Sequence, residues 1–412
     1  MKPLPWSGLG LLVVILSTPF PGAATEAELA GVLRWPDVAA AAEQHPLLLE
    51  AVARQRSSAG ATSAAGAIPN PSIGLAAGEA RPRDGGAGRR EWGASVELPL
   101  DFLATRGSRV SAARAAEEGA RQDARTVRAQ VIRELRRSFV ALAHGQAVVE
   151  TGAELEAQVA QLAALVRRRA ERGEGRPTEV PRVEIELERL RNGVERARAA
   201  ADAQRQRLST WVGRPVGRVE ADLSAALPLP PLEELQERAL DSSPALQASR
   251  ARVEEASEKS SAERWERFPR LTVGGAHVEE LDRSATTLTA TITLPLWNWN
   301  QGRIREAEAT LEGERARLDA ASRELAAGLS DAWRGCAAGQ AATRRFRDQI
   351  LPRAEGSART LGRAFELGEA GLLDLIDTRR VLLDTRREYL DLLLDMQNAC
   401  GDLAALAGLE LP

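Results

Sequence analysis

The sequence predicts a mainly α-helical, exported chain in which a long-helix hairpin occurs twice, each copy carrying a pair of β-strands. Three observations carry that prediction. The chain repeats itself at an offset of about 195 residues, its helical stretches are too long for a compact globule, and four short segments alternate apolar with polar residues.

The repeat organises everything else. VELPL at 96–100 matches ITLPL at 292–296, an offset of 196. Arg106–Arg109 lies opposite Gln301–Ile304, ERGEG at 171–175 opposite ELGEA at 366–370, and TWVGRP at 210–215 opposite ALAGLE at 405–410, all at 195. Upstream, HP at 45–46 matches SP at 243–244, and NP at 70–71 matches FP at 268–269, at 198. Six matches in chain order, drifting by three residues, mark an internal duplication. The expected organisation is a signal peptide at 1–24, a first repeat at 25–212, a proline-rich linker at 213–230 and a second repeat at 231–412.

Taken in order, the leader has Lys2, an apolar run from Leu9 to Leu16 and small residues at Gly22 and Ala24. That pattern reads as a secretory signal peptide cleaved after Ala24. No cysteine follows the run, which argues against a lipid on the new N-terminus. No later stretch reaches the roughly 20 apolar residues a spanning helix needs, so any membrane passage falls to strands. Each repeat then reads as a helix (36–66; 231–264), two strands (71–79 and 91–98; 270–278 and 286–294), a very long helix (102–171; 298–367) and a returning helix (178–211; 371–407). Pro181 fits the first turn of its helix, whereas Pro352 falls inside a helix and is expected to kink it. A helix of 70 residues is about 105 Å long. The returning helix covers half of it, and the short first helix of a repeat matches the remainder. The result is a wall of antiparallel helices, packed in coiled-coil fashion through apolar residues at three- and four-residue spacing.

The strands are the informative exception. In TLTATITL, Leu288, Ala290, Ile292 and Leu294 alternate with four threonines, and Trp92, Ala94, Val96 and Leu98 oppose Gly93, Ser95 and Glu97. Apolar-out, polar-in alternation over about 9–11 residues suits a strand crossing an outer membrane at a tilt. Trp92, Trp297 and Trp299 then sit at the membrane interface. A single-chain barrel needs at least about 8 strands, and lipid does not tolerate open sheet edges. Four strands therefore require two or three copies of the chain.

Other functions find little support. A net charge of −3 gives no basis for nucleic-acid binding. His45, His144 and His277 lie in separate segments without metal-ligand spacing, so neither a metal, a cofactor nor an enzymatic site is expected. A secreted coiled-coil scaffold or adhesin is the alternative, and it leaves the repeated strand hairpins unexplained. Cys336 and Cys400 sit 32 residues before and 32 after Gly368. They fall level across that antiparallel hairpin, so a disulfide is expected in an oxidising compartment.

IPNPSIGLAAGE, LPLDFLATRGSRVSAARAA, FPRLTVGGAHVEE, LPLWNWNQGRIREAEA and the C-terminal AFELGEAGLLDLIDTRRVLLDTRREYLDLLLDMQNACGDLAALAG together resemble the TolC family of outer-membrane efflux channels, over essentially the whole mature chain. The short chain and its NP-containing first strand are most similar to the heavy-metal cation efflux (CzcC-like) branch, although the chain departs from relatives that carry an N-terminal lipid on cysteine. The resemblance implies a homotrimer, with a 12-stranded barrel in the outer membrane above a 12-helix tunnel crossing the periplasm. It also implies a periplasmic adaptor and an inner-membrane pump as partners, substrate being conducted passively. It assigns the tunnel entrance to the two helix turns. Asp374 and Asp377, in a D-x-x-D pattern beyond the second turn, resemble the constricting aspartates, with Arg379 and Arg380 as closing partners. Gly173, Gly175, Gly368, Leu372 and Leu373 then form the tips on which an adaptor docks.

Overall fold

In the computed structural model the described residues are 31–81, 83, 85–174, 176–280 and 283–409. The signal peptide expected at 1–24 lies outside them. The chain runs α1 (Trp35–Ala40), α2 (Pro46–Ala65), β1 (Ser72–Ala80), β2 (Arg89–Pro99), α3 (Phe102–Glu171) and α4 (Glu179–Val212). It continues α5 (Leu232–Ser242), α6 (Pro244–Trp265), β3 (Arg270–Glu279), β4 (Ser284–Thr293), α7 (Gln301–Arg345), α8 (Leu351–Glu366) and α9 (Leu372–Ala407).

Two departures from expectation have local causes. The first helix of each half is broken where one helix was expected. His45 and Ser243 are extended, with ψ of 133° and 120°, because the following proline disfavours helical backbone in the residue before it. Pro46 and Pro244 then open α2 and α6. The helix expected over 298–367 is likewise interrupted by a π-helical turn at Phe346–Ile350. Pro352 follows at once. It has no N–H to donate and its ring crowds the preceding turn, and the π turn absorbs that misfit.

The long rod α3 has 70 residues and holds the fold together. Its sheet end packs against α2 and α6, its turn end against α4 and α9. Close approach is achieved with small residues. A Cβ on Gly145 of α3 would stand 3.2 Å from the Ala201 backbone of α4, and one on Gly339 of α7 would stand 3.2 Å from the Met396 backbone of α9. Thus each half places a glycine where its two helices cross, and shape rather than a large side chain sets their separation.

Residues 213–230 do not hang free. Leu33 pairs with Val219 in a parallel bridge, and Val216, Val219, Leu223 and Leu227 bury themselves beside Phe139, Leu329 and Leu403. The segment is a girdle strapped across one side of the helix wall. A second core lies nearer the turns, built from Leu162, Val166, Val183, Leu187, Phe365, Leu375 and Leu383 among others.

The four strands form one antiparallel sheet in the order β1-β2-β3-β4. Directly paired residues share a face. The register groups Ile73 with Val96, Gly275 and Leu288, and Leu98 with Val273 and Ala290. The other face carries Gly74, Ser95, Gly274 and Thr289. It is tight: a Cβ on Gly274 would lie 2.9 Å from the Val96 carbonyl oxygen and 3.0 Å from Thr289 Oγ1. Small and hydroxylated residues are what that crowding accommodates. Among the described residues no helix is long and apolar enough to cross a membrane.

Candidate functional site

Three regions of the molecule bear on function: the outer face of the sheet, the mid-wall clamp and the turn end. On the sheet, Leu288 is 92% exposed, Leu75 81% and Ile73 72%, although each is apolar and held in a regular strand. At about 25 cal/mol per Å² of apolar surface, leaving this row in water is costly, whereas facing hydrocarbon is not. The row ends abruptly. Towards the β1–β2 and β3–β4 connections the same face turns polar, where His277 Nδ1 meets Thr286 Oγ1 at 2.8 Å and Trp92 Nε1–H donates to Glu279 Oε2 at 3.1 Å. Towards the rods it stays apolar: Trp297 is 89% exposed, and Trp299, Leu294, Leu296, Leu103 and Ile68 are exposed beside it. Trp265 and Phe268 join this collar, with ring centroids 5.3 Å apart. Sequence reasoning missed that pair because it lies outside the alternating strands. The collar's backbone is turned by Asn300, at φ 61°. Its side-chain amide donates to the Glu263 carbonyl and carboxylate at 2.9 and 2.7 Å. Asparagine adopts this left-handed conformation more readily than most residues.

At mid-wall, Cys336 of α7 and Cys400 of α9 are joined by a disulfide, with Cα atoms 4.6 Å apart. Both are buried. The Gln340 amide lies 3.6 and 3.8 Å from the two sulfurs and donates to the Leu227 carbonyl at 2.7 Å. Nearby, Gln397 donates to the Leu223 and Ala225 carbonyls. The clamp thus ties α7, α9 and the girdle together. Ten residues further along α7 the π turn begins, with Phe346 stacked on Tyr389 at 5.9 Å.

The two turns share one construction. Gly173 and Gly368 have φ of 74° and 79°. Glu174 N–H donates back to the Arg169 carbonyl at 2.9 Å, and Glu369 N–H to the Ala364 carbonyl at 2.8 Å. This is the six-residue closure that ends helices on a left-handed glycine. Gly175 lies outside the described residues. Leu373 and, unanticipated, Leu367 at 75% exposure form the apolar tip. Leu372 corrects the expectation of a docking residue: at 4% exposure it belongs to the core with Phe365 and Ile376, because the first turn of α9 points it back between the helices.

Asp374 and Asp377 are both exposed on one face of α9. Arg380 lies 4.0 Å from Asp377, but its stronger bond, at 2.6 Å, goes to the buried Glu186 of α4. Arg379 is a second correction, since it does not turn towards the aspartates. It is half-buried, with Nη1 enclosed and without a hydrogen-bond partner. Burial pushes its guanidinium below the ordinary value, against the pull of Glu366. The helical step of about 100° per residue explains this, because 379 is about 200° round from 377. The histidines remain apart. His45 caps α2 and stacks on Trp211 at 5.0 Å, and His144 meets Asp391 at 2.8 Å. No metal-binding group of three or more side chains occurs among the described residues.

The family model for outer membrane efflux proteins matches residues 38–214 and 235–409. The chain belongs to that family. The efflux protein is 26% identical, over 97% of its length and 98% of the relative's, to the cobalt-zinc-cadmium resistance protein CzcC of Cupriavidus metallidurans. Its fold is similar to two crystal structures. One is the outer membrane protein VceC of Vibrio cholerae (TM-score 0.75, 19% identity, 91% of this chain and 96% of that one). The other is the open state of the MtrE outer membrane channel of Neisseria gonorrhoeae (TM-score 0.77, 17% identity, 91% and 88%). An outer-membrane efflux duct, rather than an enzyme, follows from membership. The scaffold or adhesin alternative is left without support.

Proposed function

We propose that three copies of this chain assemble into the exit duct of a tripartite efflux system exporting divalent heavy-metal cations. The carrying observation is the sheet. It has four strands with two open edges and an apolar face on which Leu75, Ile73 and Leu288 stand exposed, and lipid accepts such a sheet only in a closed barrel. Three copies supply 12 strands, and their rods, hanging from the barrel, supply the tunnel wall. The two halves of each chain, 25–212 and 231–412, are repeats that take equivalent places round that wall, with the leader removed on export. The exposed tips around Gly173, Gly368, Leu367 and Leu373 take a periplasmic adaptor, which links the duct to an inner-membrane pump. Asp374 and Asp377 ring the entrance, where carboxylates narrow the pore and favour cations. The link to metal cations rests on the CzcC relative. A strain lacking this gene is expected to accumulate more cobalt, zinc or cadmium than its parent, with restoration by the intact gene and not by one lacking residues 72–99. Equal accumulation in parent and deletion strain refutes the substrate assignment.

A further inference from the structure

The helices returning from the two turns have the same place in each half, yet one corresponding exposed face of each carries opposite charge. On α9, the exposed Asp377, Asp384 and Asp391 recur every seven residues, with Asp374 before them, Glu388 among them and Asp395 after them. Moving each of the first three back by the repeat offset of 195 gives Arg182, Arg189 and Arg196 of α4, all three exposed. The other three positions become Glu179, Gly193 and Ala200. Residues seven apart drift only about 20° per step, so each set is a ladder along one helix face. Arg182 has no carboxylate within ion-pairing distance among the described residues. Arg189 stands 3.7 Å from Glu186, and Arg196 bonds only to the Asn192 carbonyl. On α9, Asp377 and Asp391 have the Arg380 and His144 contacts given above.

The girdle shows which side of the wall these faces occupy. Gln397 of α9 donates to two girdle carbonyls, and Ser209 Oγ of α4 accepts from the girdle's Val216 N–H at 3.0 Å. At about 100° per residue, the α9 acids stand roughly 120–220° round from Gln397 and the α4 arginines roughly 140–180° round from Ser209. Both ladders therefore face away from the girdle. Twelve helices spaced about 9–10 Å apart enclose a tube of roughly 13 Å inner radius. Three girdles inside it would leave no passage, so the girdle is outside and the ladders are inside.

We propose that the duct's lumen alternates three acidic ladders with three basic ones, and that Arg182, Arg189 and Arg196 limit its preference for cations. This rests on the trimeric duct described above. Towards the turns the two ladders approach each other, since Arg380 of α9 bonds Glu186 of α4 at 2.6 Å and Arg189 stands 3.7 Å from the same carboxylate. Within a Debye length of about 8 Å, the arginines therefore offset part of the potential of the acidic ladders. The carboxylate lanes suit hydrated divalent cations and the guanidinium lanes suit their counter-anions. Acids outnumber arginines on these faces, so the wild-type duct prefers cations modestly.

The test is the reversal potential of the full-length protein in planar bilayers under a potassium chloride gradient. Replacing all three arginines (R182Q, R189Q, R196Q) is expected to raise the cation-to-anion permeability ratio at least about two-fold, and D377N, D384N and D391N together to lower it by a similar factor. Arg218→Gln, on the girdle, leaves it unchanged. For a readout independent of the triple variant's folding, Arg189→Cys exposed to a negatively charged thiosulfonate is expected to shift the ratio towards cations, while Arg218→Cys does not respond. A conducting Arg189→Cys channel that is indifferent to the reagent, or an arginine triple variant with the wild-type ratio, overturns the ladder. A wild-type protein that inserts but passes no current overturns the duct reading itself.

Discussion

The two halves of the chain build the same wall with different mechanics. In the first half, α3 runs unbroken for 70 residues and packs on α4 without any covalent tie. In the second, the matching rod is clamped to its partner by Cys336–Cys400 and then interrupted by a π turn before α8. One rod of each chain is thus a continuous strut, while the other is fixed near the girdle and jointed towards the turns. Local opening is easiest where fewest buried contacts hold a segment. The part of α7–α8 beyond the clamp is therefore the element suited to move at the turn end.

Removing the clamp should produce the largest effect and make the second half resemble the first. Cys336→Ser with Cys400→Ser is expected to cost about 2–5 kcal/mol. Hydrogen exchange should show the loss concentrated in α7 and α9, and equal loss in α3 and α4 would break the distinction. In the sheet, by contrast, the halves should behave alike. Leu288→Arg and Leu75→Arg place a charge on the same apolar row, and each should cost about 2–4 kcal/mol in lipid, measured as loss of folded protein in a urea titration in vesicles. Indifference at either position would mean that the row does not face hydrocarbon.

The helix crossings should also match. Gly145→Leu and Gly339→Leu each force a side chain into a backbone contact, and about 1–3 kcal/mol of destabilisation is expected at both, read from thermal melts in detergent. The smallest effect separates two arginines that approach the same carboxylate. Arg380→Ala leaves the buried Glu186 without its 2.6 Å partner, for a loss of about 1 kcal/mol. Arg189→Ala, at 3.7 Å and on the surface, should cost about 0–0.5 kcal/mol. Reversal of that order would show that Arg189 is the true partner.

Much of the fold was legible because its signals are periodic. Alternation at Leu288, Ala290 and Ile292 shows a half-apolar strand, and the 70-residue helical pattern shows a rod. Level placement about Gly368 was enough to bring Cys336 opposite Cys400. What remained hidden was set by contacts far apart in sequence or by small angular differences. Glu186 and Arg380 are 194 residues apart, and no local pattern announces them. Leu372 and Leu373 look alike in sequence, yet one helical step buries the first and exposes the second. Pro352 signals a disturbance but not that a π turn absorbs it, and the breaks before Pro46 and Pro244 are marked by those prolines but lie within longer helical patterns. The Trp265–Phe268 pair belongs to a collar that only the folded joint between strand and rod assembles.

Conduction through the proposed duct depends above all on three chains sharing one barrel. Native mass spectrometry of the protein, extracted in detergent from outer membranes, measures this directly. The expected particle contains three copies of the mature chain and falls apart only with loss of the sheet. A stable one-chain particle that keeps its strands would contradict it.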